Sequence, residues 1–174
     1  SNIVLGNALI DMYVKFGILG EAREVFDRLV VQDVVSWTTL IMGYVHHGHS
    51  GEAMCMFKTM KLKGFSPNVV TYACILKACG SISSLATGRE IHVNILSEGL
   101  AKKVSIGNAL VDMYVKSGLL QKALEMFNEL SDRDAISWNT LIVGYVQHGP
   151  SEEALRCFKQ MQGNGVCPTS VTFV

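Results

Sequence analysis

The sequence has no excess of charge of either sign: Lys and Arg together number 15, Asp and Glu 15, and the net charge is 0. The lack of a global field to attract a polyanion counts against a phosphate-driven, sequence-independent nucleic-acid binder and does not exclude one that reads bases with neutral groups. Cysteine is sparse and odd in number, and Cys55, Cys74, Cys79, Cys157 and Cys167 form no Cys-x-x-Cys pair. They read as reduced, buried packing residues of an intracellular protein, not as a disulfide framework. The windows Val34 to Gly51 and Ala135 to Ser151 lack Asp, Glu, Lys and Arg altogether. They reach the length of a membrane span, but polar residues such as Ser36, His46 and His47 and a helix stop at Gly48 interrupt them, so no membrane segment is expected. No nucleophile, base and orienting group recur at useful spacing, and no glycine loop is built to cradle phosphate, so neither enzymatic activity nor a cofactor is expected. His46, His47 and His49 crowd one helix end, but a metal site would need ligands on one face with a carboxylate or thiolate partner and only His148 recurs at an equivalent place, so no metal site is expected either.

What the chain has is repetition. GNALIDMYVK at Gly6 to Lys15 returns as GNALVDMYVK at Gly107 to Lys116, an offset of 101 residues. Within that period, TTLIMGYVHHGHSGEAMCMF from Thr38 matches NALIDMYVKFGILGEAREVF from Asn7 at an offset of 31, with Ala22, Phe26 and Leu29 laid over Ala53, Phe57 and Met60. The units run 3–33, 34–68, 69–103, 104–134 and 135–169, of 31, 35, 35, 31 and 35 residues, and a truncated sixth opens at 170–174. Periods of this size predict an all-α solenoid, in which each unit hides its apolar face only against its neighbours, and the 174 residues form one array. The array is expected to continue beyond both ends. The absence of a targeting peptide therefore says nothing about localisation.

Each unit reads as two short helices. From Asn7, Leu9, Met12, Tyr13 and Phe16 recur at helical spacing until Gly17, a left-handed stop; Ala22, Val25, Phe26 and Leu29 build the partner helix. Leu40, Ile41, Tyr44 and Gly48 repeat the first pattern, and Ala53, Met56, Phe57 and Met60 the second. Gly64 with Pro67, and Gly165 with Pro168, turn the chain out of the second helices of two 35-residue units; the 31-residue units lack this turn. In the middle unit Ile75, Leu76, Cys79, Ile91, His92 and Ile95 take the core positions, Gly88 replaces the small Ala, and His92 aligns with Phe26, Phe57, Phe127 and Phe158. Trp37 and Trp138 open first helices as packing aromatics, with a base-stacking platform as the alternative.

Solenoids bind by presenting one row of residues per unit. The fifth residues are Asn7, Thr38, Ala73, Asn108 and Asn139, and the last are Asp33, Asn68, Lys103, Asp134 and Thr169. Most are small and polar, and each fifth and last residue of a unit could converge on one edge. Asp33, Asn68 and Asp134 read equally well as helix caps.

The whole pattern resembles pentatricopeptide repeats of the plant P, long and short (PLS) type. GNALIDMYVKFGILGEAREVFDRL is similar to the short motif, VVSWTTLIMGYVHHGHSGEAMCMFKTMKLKGFSPN to the P motif and VVTYACILKACGSISSLATGREIHVNILSEGL to the long motif, in the order short, P, long, short, P and the start of another long. The resemblance covers nearly the whole chain. It implies a right-handed superhelix that binds single-stranded RNA in mitochondria or chloroplasts, one base per unit, read by the fifth and last residues. Carried over, Asn7 with Asp33 implies U, Thr38 with Asn68 A, Asn108 with Asp134 U, and Asn139 with Thr169 a pyrimidine; Ala73 with Lys103 is assigned no base, so the expected core is 5′-U-A-N-U-Y-3′. Val4, Val35, Val70 and Ile136 match the base-flanking second position, and Ser105 departs from it. Lys15 and Lys116 match a backbone-contacting lysine, their alternative being solvated residues at a helix C-terminus.

The family further implies a role in organellar RNA processing, with C-to-U editing-site selection foremost and editing-complex proteins as partners. The deaminase would lie elsewhere, because no His-x-Glu with Pro-Cys-x-x-Cys occurs here. A protein-interaction scaffold is the alternative function, supported by the neutral charge balance. Exposed apolar ends also predict end-to-end self-association.

Overall fold

A computed structural model describes residues 2–169 and residue 172, so the sixth unit expected at 170–174 lies outside the described residues except for Thr172. Among the described residues the chain forms ten α-helices: α1 (Ile3–Lys15), α2 (Leu19–Asp27), α3 (Val34–His46), α4 (Ser50–Leu62), α5 (Val69–Ser81), α6 (Leu85–Ser97), α7 (Val104–Lys116), α8 (Leu120–Glu129), α9 (Ala135–His148) and α10 (Ser151–Gly163). None is long and apolar enough to cross a membrane. Two compact units divide the chain, Ser1–Ala78 and Cys79–Val174, with the boundary inside α5.

Local chemistry sets the helix ends. Asp33 caps α3 by accepting the Ser36 N–H, and Asp134 caps α9 by accepting that of Ser137. Gly17 and Gly48 stop the first helices at φ 72° and 81°, where a side chain would be strained. Gly149, at the corresponding place after α9, is instead extended at φ −130°, because the following Pro150 disfavours helical backbone before it. Ser83 takes φ 53° between α5 and α6, where the other first-helix stops use glycine.

In the first unit α1 packs on α2 and α3, and α3 on α4; in the second α7 packs on α6, α8 and α9, and α9 on α10. The cores repeat. Ile10, Ala22, Phe26, Trp37, Leu40, Ile41 and Met60 are buried in one, and Ile106, Val111, Ala123, Phe127, Trp138, Leu141 and Met161 in the other. Trp37 meets Phe26 edge-on at 4.7 Å between ring centroids, and Trp138 meets Phe127 at the same separation, so both tryptophans are core residues. All six residues assigned to the middle unit's core are buried, His92 with its Nδ1 2.9 Å from the Tyr114 hydroxyl.

Three expectations need correction. Leu9, Met12 and Phe16 are exposed: α1 turns Gly6, Ile10 and Val14 to α2 and α3, and no other described helix of its unit covers its opposite face. Leu29 falls beyond α2, which ends at Asp27, and lies instead over Gly6. Cys55 and Cys167 are exposed, one on the outer side of α4 and the other in the turn before Pro168; Cys79 and Cys157 are buried as expected, Cys74 partly.

Candidate functional site

The fifth and last residues of four units meet or are linked. In the units opened by Ile3 and Val104 the first helix carries the fifth residue on its second turn, and the last residue caps the next first helix, which packs alongside. Asn7 Nδ2 donates to Asp33 at 3.2 Å (Oδ1) and 3.5 Å (Oδ2), and Asn108 Nδ2 to Asp134 at 3.2 and 3.4 Å. Asn139 Nδ2 donates to Thr169 Oγ1 at 2.9 Å. Thr38 and Asn68 are joined through Thr71, whose Oγ1 lies 2.7 Å from Thr38 Oγ1 and donates to Asn68 Oδ1 at 3.0 Å.

The capping role and the pairing coexist. Asp33 Oδ1 accepts the Ser36 N–H at 2.8 Å while the same carboxylate receives the Asn7 amide. Burial raises the Asp33 pKa, but the Ser36 N–H, the Asn7 amide, the Ser36 hydroxyl and the Val35 N–H outweigh it, so the group lies below its ordinary 3.8 and is acceptor-only at neutral pH. Asn7 Oδ1 and Asn108 Oδ1 are buried without a hydrogen-bond partner. An orphaned carbonyl oxygen of this kind is costly unless something docks against it.

Around the pairs, Val4, Val35, Val70 and Ile136 stand 71%, 54%, 49% and 64% exposed, unusually bare for aliphatic side chains. Ser105 is exposed and offers no apolar surface. Ala73, on α5, brings no polar group, and Lys103, at the start of α7, makes no side-chain cap. Lys15 and Lys116 sit in the last turns of α1 and α7, held by Asp11 and Asp112 at 2.6 and 2.7 Å. Between α7 and α9 a cleft of about 400 Å³ brings Lys116, Ile136, Asn139 and Thr169 together. A groove with an apolar wall, a polar pair on its floor and a cation at its rim can take a planar ring that carries donors and acceptors on one edge.

Sequence reasoning missed the third residues Ser36, Thr71, Ser137 and Thr172, which hold the last residue of the preceding unit. Their signal was the spacing of three residues that separates Asp33, Asn68, Asp134 and Thr169 from a following Ser or Thr. It also missed His47, whose Nε2 lies 2.8 Å from the Val14 carbonyl oxygen and ties α3 to α1. Among the described residues no group of three or more His, Cys, Asp or Glu side chains is placed to share a metal ion.

Paired helices of this length, joined by fifth-to-last hydrogen bonds, define a helical-repeat protein, and the chain belongs to the PPR repeat family. Models of that family match residues 32–81 and 133–174, and models of the PPR repeat match 7–34 and 108–134. The Arabidopsis thaliana pentatricopeptide repeat-containing protein At2g33680 is 41% identical over 167 residues, 96% of this chain and 23% of that protein. From the same plant, chloroplastic CRR2 is 40% identical over 100% of this chain and 27% of its own length, and mitochondrial At3g24000 36% identical over 100% and 28%. The chain thus spans about a quarter of the length of these relatives. Among solved structures, PPR10 in complex with an 18-nt psaJ RNA element matches 98% of this chain and 26% of that one, with a TM-score of 0.83 and 22% identity. The PPR domain of Arabidopsis thaliana protein-only RNase P 1 in complex with tRNA matches 99% and 95%, with a TM-score of 0.75 and 14% identity. These likenesses establish the α-solenoid fold of stacked helical hairpins.

Proposed function

We propose that this chain is a sequence-specific single-stranded RNA-binding module of the PLS type, reading one base per unit over 5′-U-A-N-U-Y-3′. The observation that carries the reading is the recurrence, at Asn7/Asp33 and Asn108/Asp134, of one hydrogen-bonded pair with a buried, unpartnered amide oxygen. An ionised Asp accepts only, which suits the imino N–H of uracil and not the bare ring nitrogen of cytosine. The exposed Val4, Val35, Val70 and Ile136 supply apolar surface on either side of the bases. Ala73 with Lys103 tolerates any base, Ser105 weakens the wall at the fourth, and Lys15 and Lys116 contact the phosphate backbone.

The whole protein acts in a mitochondrion or chloroplast, as its relatives' names suggest. There it selects sites for C-to-U editing alongside editing-complex proteins, and this part contributes recognition without catalysis. Leu5, Leu9 and Phe16 leave an apolar face on α1 that favours end-to-end association, which sedimentation over a range of concentrations would detect.

The test is an anisotropy titration of a short labelled RNA containing U-A-N-U-Y against versions with A changed to G or either U to C. Asp33→Asn and Asp134→Asn run alongside. Preference for the stated core, moving towards C at the first and fourth bases in the two variants, is the expected result. Equal binding to every RNA would reduce the site to a generic surface, and no binding at low salt would favour a protein scaffold.

A further inference from the structure

We propose that Thr71 and Thr172, each the third residue of its unit, are positioning residues that complete the reading pair of the preceding unit and set which hydrogen-bonding edge that pair shows to a base. This rests on the base reading above and names the part that gives it polarity.

The hydroxyl of Thr71 carries one proton. Asn68 Oδ1, 3.0 Å away, can only accept, so that proton lies between them, and Thr38, 2.7 Å from Thr71 Oγ1, must be the donor in their own contact. Asn68 Oδ1 also accepts the Thr71 N–H at 2.9 Å, and the Asn68 N–H closes on Thr71 Oγ1 at 3.2 Å. The chain Thr38 to Thr71 to Asn68 therefore runs in one direction. Its result is that Asn68, exposed, has its carbonyl oxygen tied back and its Nδ2 hydrogens free, while Thr38 has spent its only hydrogen and keeps lone pairs alone. A donor beside an acceptor complements adenine, which offers an accepting ring nitrogen and a donating amino group. Guanine offers the reverse on the same edge.

Thr71 is fully buried, Thr38 7% exposed, so water does not compete inside this chain. The fifth unit uses the same device: Thr172 Oγ1 donates to Asn139 Oδ1 at 2.6 Å and receives the Thr169 N–H at 2.8 Å, so the Asn139 amide is fixed with its nitrogen on Thr169. Where the third residue is serine the hydroxyl does less. Ser36 Oγ bonds the Asp33 backbone, at 2.8 Å (C=O) and 2.9 Å (N–H), and does not reach Asn7, whose Oδ1 stays unpartnered.

The experiment compares wild type with Thr71→Val and Thr71→Ser on RNAs bearing A or G at the second base. Valine keeps the shape and the backbone cap but removes the hydroxyl. Wild type is expected to prefer A over G by about tenfold, Thr71→Val by no more than about twofold, and Thr71→Ser to restore the preference. If Thr71→Val does not fold, Thr172→Val takes its place, with loss of pyrimidine over purine preference at the fifth base as the readout. A wild-type preference that survives in Thr71→Val, an equal loss of affinity for both RNAs, or no rescue by serine overturns the proposal while leaving the base reading standing. A wild type indifferent to A and G overturns the reading at this unit and the proposal with it.

Discussion

At the scale of single residues, Asp33 and Asp134 each do two jobs, and substitutions separate them. Asparagine still accepts the Ser36 or Ser137 N–H, so Asp33→Asn preserves the cap and changes only the donors and acceptors that the pair presents. Asp33→Ala removes both, and the unfolding midpoint in urea should then drop by the equivalent of about 1 kcal/mol. His92 gives a pH prediction. Burial first, then the charge of Lys122, lowers its pKa below 6.5 in the folded chain, with Glu129 opposing. A lowered pKa means that protonation opposes folding, so this stabilisation is complete above about pH 6.5 and is lost as the pH falls from there through the folded value. Thermal melts at pH 7.5 and 5 should show a larger drop for wild type than for His92→Phe, which carries the residue found at this position in the other units.

Individual elements are held at distances that glycine sets. A Cβ on Gly43 of α3 would come within 2.6 and 2.8 Å of the two γ carbons and 3.2 Å of the β carbon of Val14 on α1, a branched side chain that cannot swing clear. Gly144 of α9 meets Val115 of α7 in the same way, at 2.8 and 2.9 Å, so the close first-helix packing is built twice. Gly43→Ala should destabilise by roughly 1–3 kcal/mol in chemical denaturation. Gly51 of α4 has nothing within 4 Å of a Cβ, and there alanine should stabilise by up to about 1 kcal/mol. Opposite signs for two identical substitutions would establish that contact between first helices, not helix propensity, controls Gly43.

Over the whole molecule, charge is balanced, and the two lysines proposed at the RNA backbone are already engaged by Asp11 and Asp112. Recognition through neutral side chains then has a distinct signature. With two phosphate contacts the logarithm of affinity should fall against the logarithm of salt with a slope of about −1.4 or shallower, read from titrations between low and physiological salt. A slope several times steeper would mean that a basic surface, not the polar pairs, drives binding. The chain spans a quarter of its relatives, so affinity measured on it reports these units alone.

Helix identity and order, the turn glycines and the spacing of fifth and last residues were legible in the sequence, because 3.6-residue periodicity, left-handed stops and caps are local properties that repeat from unit to unit. Which apolar residues end up inside was not. Leu9 and Met12 are 36% and 39% exposed, while their counterparts Leu110 and Met113, 101 positions on in a near-identical helix, are 2% and 0% exposed. The difference is a neighbour: α7 has α6 against it, and in its unit α1 has only α2 and α3. Nor could spacing reveal the direction of the hydrogen bonds between fifth and last residues. That Thr71 links Thr38 to Asn68 while Ser36 leaves Asn7 Oδ1 alone depends on where two packed helices bring one hydroxyl. A residue's type states what it can donate or accept, and only its neighbours in space decide which of these it does.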